Sequence, residues 1–259
     1  MLFPAADNPH PTRPSRRSDT LPTAPGLTSR PARAQAVDQL VDATIRLLAT
    51  EGPSQIKARS VAAAAQLSTS AVYYHVGGIP ELFQAVVDRG FAELARAFDS
   101  TSPSDDPVAD LFGMALATRH LAQSNPHLYD LMFGLSTRGS YRPSEPRRDH
   151  DRSEAFRTAY ARLVQTATRL ISSGRVRADE DPELIADQLW SCVHGFVTLE
   201  LAGHFTQLND PVRERLQPLT VCVFVGHGDT AERASASHDS VRVAPPTAVS
   251  RVGPDTVGD

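Results

Sequence analysis

The chain has 259 residues and a nearly balanced charge, with 26 lysine and arginine residues against 30 aspartate and glutamate residues. That length is enough to bury a sizeable core in one or two domains, and the balance disfavours a protein that is basic throughout. Only two cysteines are present and no apolar run reaches the ~20 residues of a membrane span, so we expect neither a disulfide scaffold nor a membrane protein. The first residues lack the pattern of a signal peptide, and the expected location is the cytoplasm.

Charge is unevenly distributed along the chain. Residues 1–80 carry eight cations and five anions, a net charge of +3, so the remaining 179 residues carry −7. A basic N-terminal part joined to an acidic body predicts a polyanionic partner for the first part alone.

Both ends of the chain have the composition of disordered segments. Residues 1–31 are rich in Pro, Ser, Thr and Arg without apolar periodicity, and residues 226–259 contain few large apolar side chains. Arg13, Arg16 and Arg17 allow two interpretations, a minor-groove arm or a solvated tail. The first segment is therefore either a functional arm or a stretch upstream of the true start.

The residues between these ends carry helical patterns. Apolar residues recur at helical spacing up to Gly52, which is expected to end the first helix. Four later helix starts pair a side-chain acceptor with a proline, at Asp106-Pro107, Asn125-Pro126, Asp181-Pro182 and Asp210-Pro211. No segment alternates like a strand, so the expected fold class is all-α. The predicted helices are 32–50, 58–65, 69–75, 79–98, 107–123, 126–136, 152–173, 182–203 and 211–225, with a loop over 137–151.

The most informative pattern lies in residues 52–83, where two short helices are joined by a tight turn at 66–68. Val61 and Ala62 in the first helix are spaced to face Val72 in the second, and small alanines let the two helices cross closely. This is the spacing of a helix-turn-helix, whose second helix enters the major groove of DNA.

The composition of the second helix suits contact with DNA. A hydroxyl N-cap begins it, and its small residues can approach base edges, where hydroxyls form hydrogen bonds and a methyl contacts thymine. The tyrosine and histidine tips can reach phosphates or bases, although a tyrosine could instead pack in the core and His75 could instead bond a backbone carbonyl. The candidate DNA-binding residues of this helix are Ser68, Thr69, Ser70, Ala71, Tyr73, Tyr74 and His75.

Residues 33–98 resemble the N-terminal domain of the TetR family of one-component transcriptional regulators. The resemblance is carried by Val61-Ala62, Ala65-Gln66-Leu67-Ser68, Tyr73-Tyr74-His75, Gly77-Gly78 and Glu81-Leu82. It implies a three-helix DNA-binding domain over residues 32–78, with Arg59 at a position where the family often binds phosphate.

Three residues depart from the family pattern. Gln66 replaces the turn glycine, which costs about 1–2 kcal/mol if the position requires a positive φ. Val76 replaces an aromatic residue, and Ile79 replaces a lysine that usually contacts phosphate, which would lower the salt slope of binding by about 0.9. Gln66 and Ile79 motivate an alternative function, a dimeric small-molecule-binding protein whose helix-turn-helix no longer reads DNA.

The second half of the chain carries a further resemblance. Residues 125–133, followed by Trp190 and His194-Gly195, are similar to the TetR C-terminal domains named for a Trp, His-Gly pattern. This implies a helical effector-binding and dimerisation domain over residues 79–225.

Two helices in this half, 182–203 and 211–225, are apolar on more than one side and need a partner beyond their own domain. Pairing with the symmetry-related helices would form a four-helix dimer interface and place two recognition helices about 34–36 Å apart on DNA. We also expect Pro218 to kink the second of these helices. The candidate interface residues are Ile185, Leu189, Cys192, Phe196, Leu219, Val223 and Phe224.

An effector pocket is expected among the helices from residue 79 to residue 203. Side-chain type and helix position select Met114, Leu116, His120, Met132, Phe133, Trp190 and His194 as candidate lining residues. Such a pocket suits a small, mostly apolar or aromatic effector. The histidine spacings do not form a metal-site pattern, and catalytic and nucleotide-binding motifs are missing, so we expect no metal, no other cofactor and no enzyme.

These observations together predict a homodimeric transcriptional regulator, usually a repressor in the TetR family. It would bind a near-palindromic double-stranded operator and be released when a small effector stabilises a different conformation.

Overall fold

The computed structural model describes residues 30–100, 103–134 and 153–241. Within these residues the chain is helical and without strands, which confirms the all-α class. One short 3₁₀ helix (Pro53–Gln55) and one π-helical turn (Val212–Leu216) accompany the α-helices. The α-helices are α1 (Arg30–Glu51), α2 (Ala58–Ala64), α3 (Thr69–His75), α4 (Ile79–Asp99), α5 (Pro107–Ser124), α6 (Pro126–Met132), α7 (Glu154–Ser172), α8 (Pro182–Leu201), α9 (Gln217–Gly226) and α10 (Ala231–Ser240).

The starts of α5, α6 and α8 follow the predicted capping chemistry. The side chains of Asp106, Asn125 and Asp181 each accept a hydrogen bond from a backbone N–H in the first turn, at 2.9 to 3.0 Å. A proline follows each cap, where its missing N–H leaves no hydrogen bond unmade. The local sequence therefore fixes where these three helices begin.

Helices α1 to α3 share buried apolar residues that belong to the same continuous core as those of the later helices. Leu40 and Leu48 from α1, Val61 from α2 and Val72 from α3 are fully buried, and Gly52 ends α1 at a φ of 77°. The predicted facing of Val61 and Val72 is confirmed. Packing at this core fixes the angle between α2 and α3, and with it the orientation of α3 on the surface.

Helix α4 connects this N-terminal unit to the larger helical body. It packs against α1 at one end and against α5, α6 and α7 along its length. Its buried face includes Leu82, Val86, Phe91, Leu94 and Phe98. Helices α5, α7, α8 and α9 complete the body around a continuous apolar core. No helix in the described part of the chain is long and apolar enough to cross a membrane.

The chain before α9 contains the π-helical turn near the expected kink. The N–H of Gln217 donates to the carbonyl of Val212, five residues earlier. Because Pro218 has no N–H and its ring would press on the carbonyl of Glu214 in a regular helix, a wider turn at this place accommodates the proline.

The C-terminal segment departs from the sequence prediction. Residues 226–259 were expected to be disordered, but α10 forms over Ala231–Ser240 and packs against α5 and α9. Its buried residues are Ala234, Ser237 and His238, a set without large apolar side chains. The prediction is wrong up to residue 241, because composition alone undervalues a helix that packs through small and polar side chains.

Two smaller boundaries also differ from the prediction. Helix α6 ends at Met132 instead of residue 136, because Gly134 adopts a left-handed conformation at a φ of 68°. Helix α1 begins at Arg30, inside the predicted arm. The rest of that arm, the predicted loop over 137–151 and the tail beyond 241 lie outside the described residues.

Candidate DNA-binding surface and effector site

The recognition helix α3 begins at a well-formed cap. The hydroxyl of Ser68 accepts a hydrogen bond from the N–H of Ala71 at 3.2 Å and lies 2.9 Å from the hydroxyl of Ser70. Only Val72 of this helix is fully buried, in the core shared with α1 and α2. One apolar anchor therefore holds α3 and leaves its other side chains available at the surface.

The side chains predicted to contact DNA lie on that surface. Thr69 and Ser70 are exposed, and Tyr73 and Tyr74 are 59% and 63% exposed. The alternative that one of these tyrosines belongs mostly to the core is wrong. A helix that exposes two tyrosines and two hydroxyl residues on one surface offers hydrogen-bonding groups of the kind that contact base edges in the major groove.

The other three candidates differ in how far they are exposed. Arg59 is exposed on α2, whereas Ala71 and His75 are half-buried. The His75 ring packs edge-on against Tyr74 at 4.9 Å between ring centroids. Its Nδ1 atom has no hydrogen-bond partner within the described residues. His75 therefore supports the position of Tyr74 on the surface.

The turn before α3 carries backbone strain. Gln66 has a φ of 56° and is the one non-glycine residue with a positive φ in the described ranges. Its N–H donates to the carbonyl of Ala63 at 3.1 Å, and the next N–H, of Leu67, donates to Ala62 at 2.9 Å. The helix-turn-helix geometry is thus kept without the glycine, at a cost of about 1–2 kcal/mol.

Ion pairs tie this unit to α4. The guanidinium of Arg89 on α4 donates to the carboxylates of Asp38 and Asp42 on α1, at 2.5 and 2.9 Å. These pairs neutralise two of the acidic residues in the basic N-terminal part. A displacement of α4 would therefore be transmitted to α1.

Helix α6 makes the second connection to α1. The side-chain amide of Asn125 donates to the backbone carbonyl of Ile45 at 3.2 Å, and the ring of His127 lies against Gly52. On its other side, Met132 packs so closely on α4 that a Cβ atom at Gly90 would lie 2.6 Å from the methionine sulfur. Helices α4 and α6 thus both join the body to the N-terminal unit.

An apolar cavity lies inside the body between α5, α7, α8 and α9. Its volume of about 20 Å³ holds about one water molecule, far less than a typical ligand pocket. In this conformation the cavity is therefore too small to hold an effector. Its lining residues are Leu111, Phe112, Met114, Ala115, Thr118, Leu163, Leu189, Trp190, Val193, Thr220 and Phe224.

Among the seven predicted pocket residues, two line this cavity, Met114 and Trp190. His120 is exposed and Leu116 packs on a separate cluster of the core, so neither lines this cavity, and their place in an effector pocket stays a prediction. Side-chain type and helix position were the selection criteria, and they overlooked four residues of α5, namely Leu111, Phe112, Ala115 and Thr118. Their helical spacing was the signal that could have found them.

The remaining candidates do not line the cavity. Met132 packs against Gly90 of α4, and the rings of Phe133 and His194 contact Trp190. Phe133 and His194 belong to an aromatic cluster, defined as Phe91, Tyr129, Phe133, Trp190 and His194. Ring centroids are 4.0 Å apart for Phe133 and His194 and 4.4 Å apart for Trp190 and His194. The structure therefore brings the chosen aromatic residues together beside the cavity.

Two polar side chains meet inside this aromatic cluster, the buried Tyr129 and the half-buried His194. The hydroxyl of Tyr129 forms a hydrogen bond with Nδ1 of His194. Burial lowers the pKa of His194 to about 4, so the imidazole is neutral at physiological pH, and burial also raises the pKa of Tyr129. Nε2 of His194 is buried without a hydrogen-bond partner among the described residues.

Most of the predicted dimer residues face the wrong way for an interface. Ile185, Leu189, Phe196 and Phe224 are buried in the core of the chain itself, so their assignment to an interface is wrong. Cys192 and Val223 are half-buried. Apolar residues lie on both sides of these helices, and the sequence of one helix does not reveal which side the core takes.

The opposite sides of α8 and α9 are nevertheless apolar and exposed. We define the outer α8–α9 face by Leu184 and Leu199 on α8 and Leu219 and Val225 on α9, which are 41% to 47% exposed. Burial raises the pKa of the Cys192 thiol, and neighbouring Cys222 adds to this shift, as expected when α8 and α9 lie side by side. Leu219 is thus the one predicted interface residue on the exposed face.

A helix-turn-helix with an exposed recognition helix, joined to a separate helical body, defines a DNA-binding regulator. A family model described as "Bacterial regulatory proteins, tetR family" matches residues 40–86. A second, described as "Tetracyclin repressor-like, C-terminal domain", matches residues 111–222. The chain belongs to the TetR family of transcriptional regulators, which are not enzymes.

Individual relatives agree with this membership. The HTH-type transcriptional repressor Rv3405c of Mycobacterium tuberculosis is 26% identical over 197 residues, which cover 69% of this chain and 100% of that protein. The HTH-type transcriptional regulator Rv1816 of the same species is 26% identical over 231 residues, covering 76% and 96%. The fold is also similar to that of a solved structure from Rhodococcus sp. RHA1, of unknown function, with a TM-score of 0.61 at 22% identity, covering 75% of this chain and 96% of its own.

Proposed function

We propose that the protein is a ligand-responsive repressor that binds a near-palindromic operator as a homodimer in the cytoplasm and is released by a small, mostly apolar effector. The observation that carries this proposal is the surface of α3, where Thr69, Ser70, Tyr73 and Tyr74 are exposed while Val72 alone anchors the helix. Side chains that served only packing would be covered.

Dimerisation is supported by the outer α8–α9 face. Four large apolar side chains remain exposed on two helices that pack together, and exposed leucine and valine side chains are common at protein contacts. A two-fold pairing of this face would present two copies of α3 to successive turns of the major groove. A dimer held together by this face would therefore bind a near-palindromic operator.

Effector control is supported by the small apolar cavity and the helices around it. Because about 20 Å³ admits no effector, an effector would bind a different conformation and shift the population toward it. Helices α4 and α6 contact both the body and α1, through Arg89 and Asn125. Opening the body would move α1, and with it α3.

The proposed domain division follows the same contacts. Residues 32–78 would form the DNA-binding domain, and the effector and dimerisation domain would begin at residue 79 and extend to α10. Assignment of the second domain to the Trp, His-Gly subgroup rests on Trp190, His194 and Gly195, the first two of which lie together in the aromatic cluster.

The test is a fluorescence-anisotropy titration of the full chain against DNA flanking its own gene, at two salt concentrations. Saturable binding that resists competitor DNA and weakens with salt is expected, because phosphate contacts release counterions. Thr69→Ala and Tyr73→Ala should each weaken specific binding by about 10-fold to 100-fold. Thr168→Ala, at an exposed threonine on α7, is the matched control and should bind like the wild type.

The alternative of a small-molecule-binding protein with a degenerate helix-turn-helix is favoured by one observation, the strain at Gln66. Selection from random duplexes separates the two functions. Enrichment of a near-palindromic sequence supports the repressor, whereas failure to enrich any sequence supports the alternative.

A further inference from the structure

The aromatic cluster contains one buried polar atom whose hydrogen-bonding capacity is unused. Nε2 of His194 has no partner in the described part of the chain, although rings of Phe133, Trp190 and Tyr129 surround the imidazole at centroid distances of 4.0, 4.4 and 5.5 Å. A buried polar atom without a partner is unfavourable in an apolar site. Such an atom favours any occupant that completes its hydrogen bond.

The hydrogen bond on the other side of the imidazole sets its tautomer. Burial raises the pKa of Tyr129, so the hydroxyl keeps its proton, and its hydrogen bond is to Nδ1 of His194. If Nδ1 carried the proton, the tyrosine proton would have no acceptor among the described residues. Nδ1 is therefore the acceptor, and Nε2 carries the N–H and can donate.

Phe133 occupies the place that a ligand ring would take. Its ring is half-buried and contacts Phe91, Tyr129, Trp190 and His194 at centroid distances from 4.0 to 5.8 Å. It stands at the C-cap of the seven-residue helix α6, directly before the left-handed Gly134. A benzene-sized group therefore already lies against the His194 ring, and it comes from the end of a short helix.

We infer that this site binds a neutral aromatic effector with one acceptor oxygen, a phenol or an aryl carbonyl, whose ring displaces Phe133 and whose oxygen accepts the hydrogen bond of His194 Nε2. The inference rests on the proposed ligand-responsive function and names its ligand class. Because the imidazole is neutral, it supplies a hydrogen bond but no counter-charge, so a carboxylate would lose its hydration without compensation. Displacing Phe133 also disturbs α6, which contacts α1.

The test uses p-cresol and p-xylene, two rings of nearly the same shape that differ by a hydroxyl against a methyl group. Trp190 is the single tryptophan of the chain and belongs to the cluster, so its fluorescence reports binding at this site. The ratio of the p-xylene to the p-cresol dissociation constant should be about tenfold higher for the wild type than for His194→Phe, which keeps a ring but loses the donor. The anion p-toluate should bind at least about tenfold more weakly than p-cresol.

Three further variants complete the design. Phe133→Ala vacates the ring-sized space, so it should bind both probes more tightly and keep the wild-type ratio. Tyr129→Phe preserves the shape of a buried side chain but removes the hydroxyl that fixes the tautomer of His194, so it should lower the ratio of the two dissociation constants. It takes the place of His194→Phe in the test if that variant does not fold. His204→Phe, at an exposed histidine, is the control and should keep the ratio. An unchanged ratio in His194→Phe or in Tyr129→Phe overturns the inference, as does failure of both the wild type and Phe133→Ala to bind p-cresol.

The outcome for the operator is measured separately by anisotropy. Specific DNA binding without the expected probe ratio would refute this ligand class and leave the repressor function standing. The expected ratio without any effect of p-cresol on DNA binding would establish the ligand site and refute the proposed release mechanism.

Discussion

The N-terminal unit and the helical body place their candidate functional residues in opposite ways. In α1 to α3 the candidates lie outside, on a helix held by one buried valine, Val72. In the body they lie inside, where Trp190 and His194 are packed among other rings. The surface of a short helix follows from residue spacing, whereas an internal site follows from which helices meet, so the first is more predictable than the second.

The two regions also differ in backbone strain. The N-terminal unit has a strained backbone at Gln66, at a φ of 56°. The body has no non-glycine residue with a positive φ among its described residues. Imidazole nitrogens without described partners are buried in both regions, at His75 in the N-terminal unit and at His194 and His238 in the body. Strain at a surface turn affects stability alone, whereas an unpaired nitrogen in a core also creates specificity for whatever completes its hydrogen bond.

The largest expected effect tests whether the body controls the DNA-binding surface through dimerisation. The double variant Leu199→Asp/Leu219→Asp places charges on the outer α8–α9 face, so the dimer should dissociate, as measured by analytical ultracentrifugation. Operator affinity should fall by about 100-fold or more, because each monomer then binds a half-site alone. Ala161→Asp, at an exposed alanine on α7, is the control. Unchanged operator affinity in a monomeric variant would show that the two regions act independently.

The second effect concerns pH and the buried histidines of the body. Burial lowers the pKa of His238 from 6.5 to about 4, so between these values the unfolded chain binds a proton that the folded chain does not. The free energy of unfolding should therefore fall as pH falls below 6.5, by about 2 kcal/mol at pH 5 for this residue.

The check is urea denaturation of the wild type and His238→Leu at pH 7 and pH 5. Because the pKa of His194 is lowered in the same way, the variant should keep about half of the pH dependence. His204→Leu, at an exposed histidine, should retain the full dependence. Equal dependence in wild type and His238→Leu would contradict the burial argument.

The third effect tests the close packing of α4 on α6, which joins the two regions. An alanine at Gly90 would place its Cβ 2.6 Å from the sulfur of Met132, so Gly90→Ala should lower the free energy of unfolding by about 1–2 kcal/mol. At Gly113, on α5, a Cβ meets nothing within 4 Å, so Gly113→Ala should be neutral or stabilising. Thermal denaturation of both variants measures the difference, and equal melting temperatures would contradict it.

The smallest expected effect sharpens the description of the N-terminal unit. Gln66→Gly removes the strain of a left-handed glutamine and should raise the free energy of unfolding by about 1 kcal/mol. Gln66→Ala keeps a Cβ at the same φ and should remain at the wild-type value, also by urea denaturation. A stabilising alanine would assign the effect to the glutamine side chain instead of the backbone.

The sequence predicted the residues whose position depends on nearby residues. The caps Asp106, Asn125 and Asp181, the end of α1 at Gly52 and the buried Val72 are all where the patterns placed them. Each depends on hydrogen bonds or contacts within a few residues or across one tight turn. The local sequence therefore contains all the interactions that fix the positions of these residues.

The sequence did not predict which side of a two-sided helix belongs to the core. Ile185 and Phe196 were expected on an interface and are buried, whereas Leu184 and Leu199 are exposed. Both sides of α8 are apolar, so the choice depends on the shapes of α5, α7 and α9, which surround it. Composition likewise missed α10, where His238 fills a space between Phe112 and Phe224.

The sequence by itself determined the helical class, the recognition helix and its exposed polar residues, because helical period and capping act over short distances. The tertiary structure alone decided the small cavity, the pairing of Tyr129 with His194 Nδ1 and the partnerless Nε2 beside Phe133. The cavity brings together residues of α5, α7, α8 and α9, and the Tyr129–His194 pair joins α6 to α8, so each feature depends on residues far apart along the chain. Close packing of a core is a property of all its members at once, and therefore no single segment encodes it.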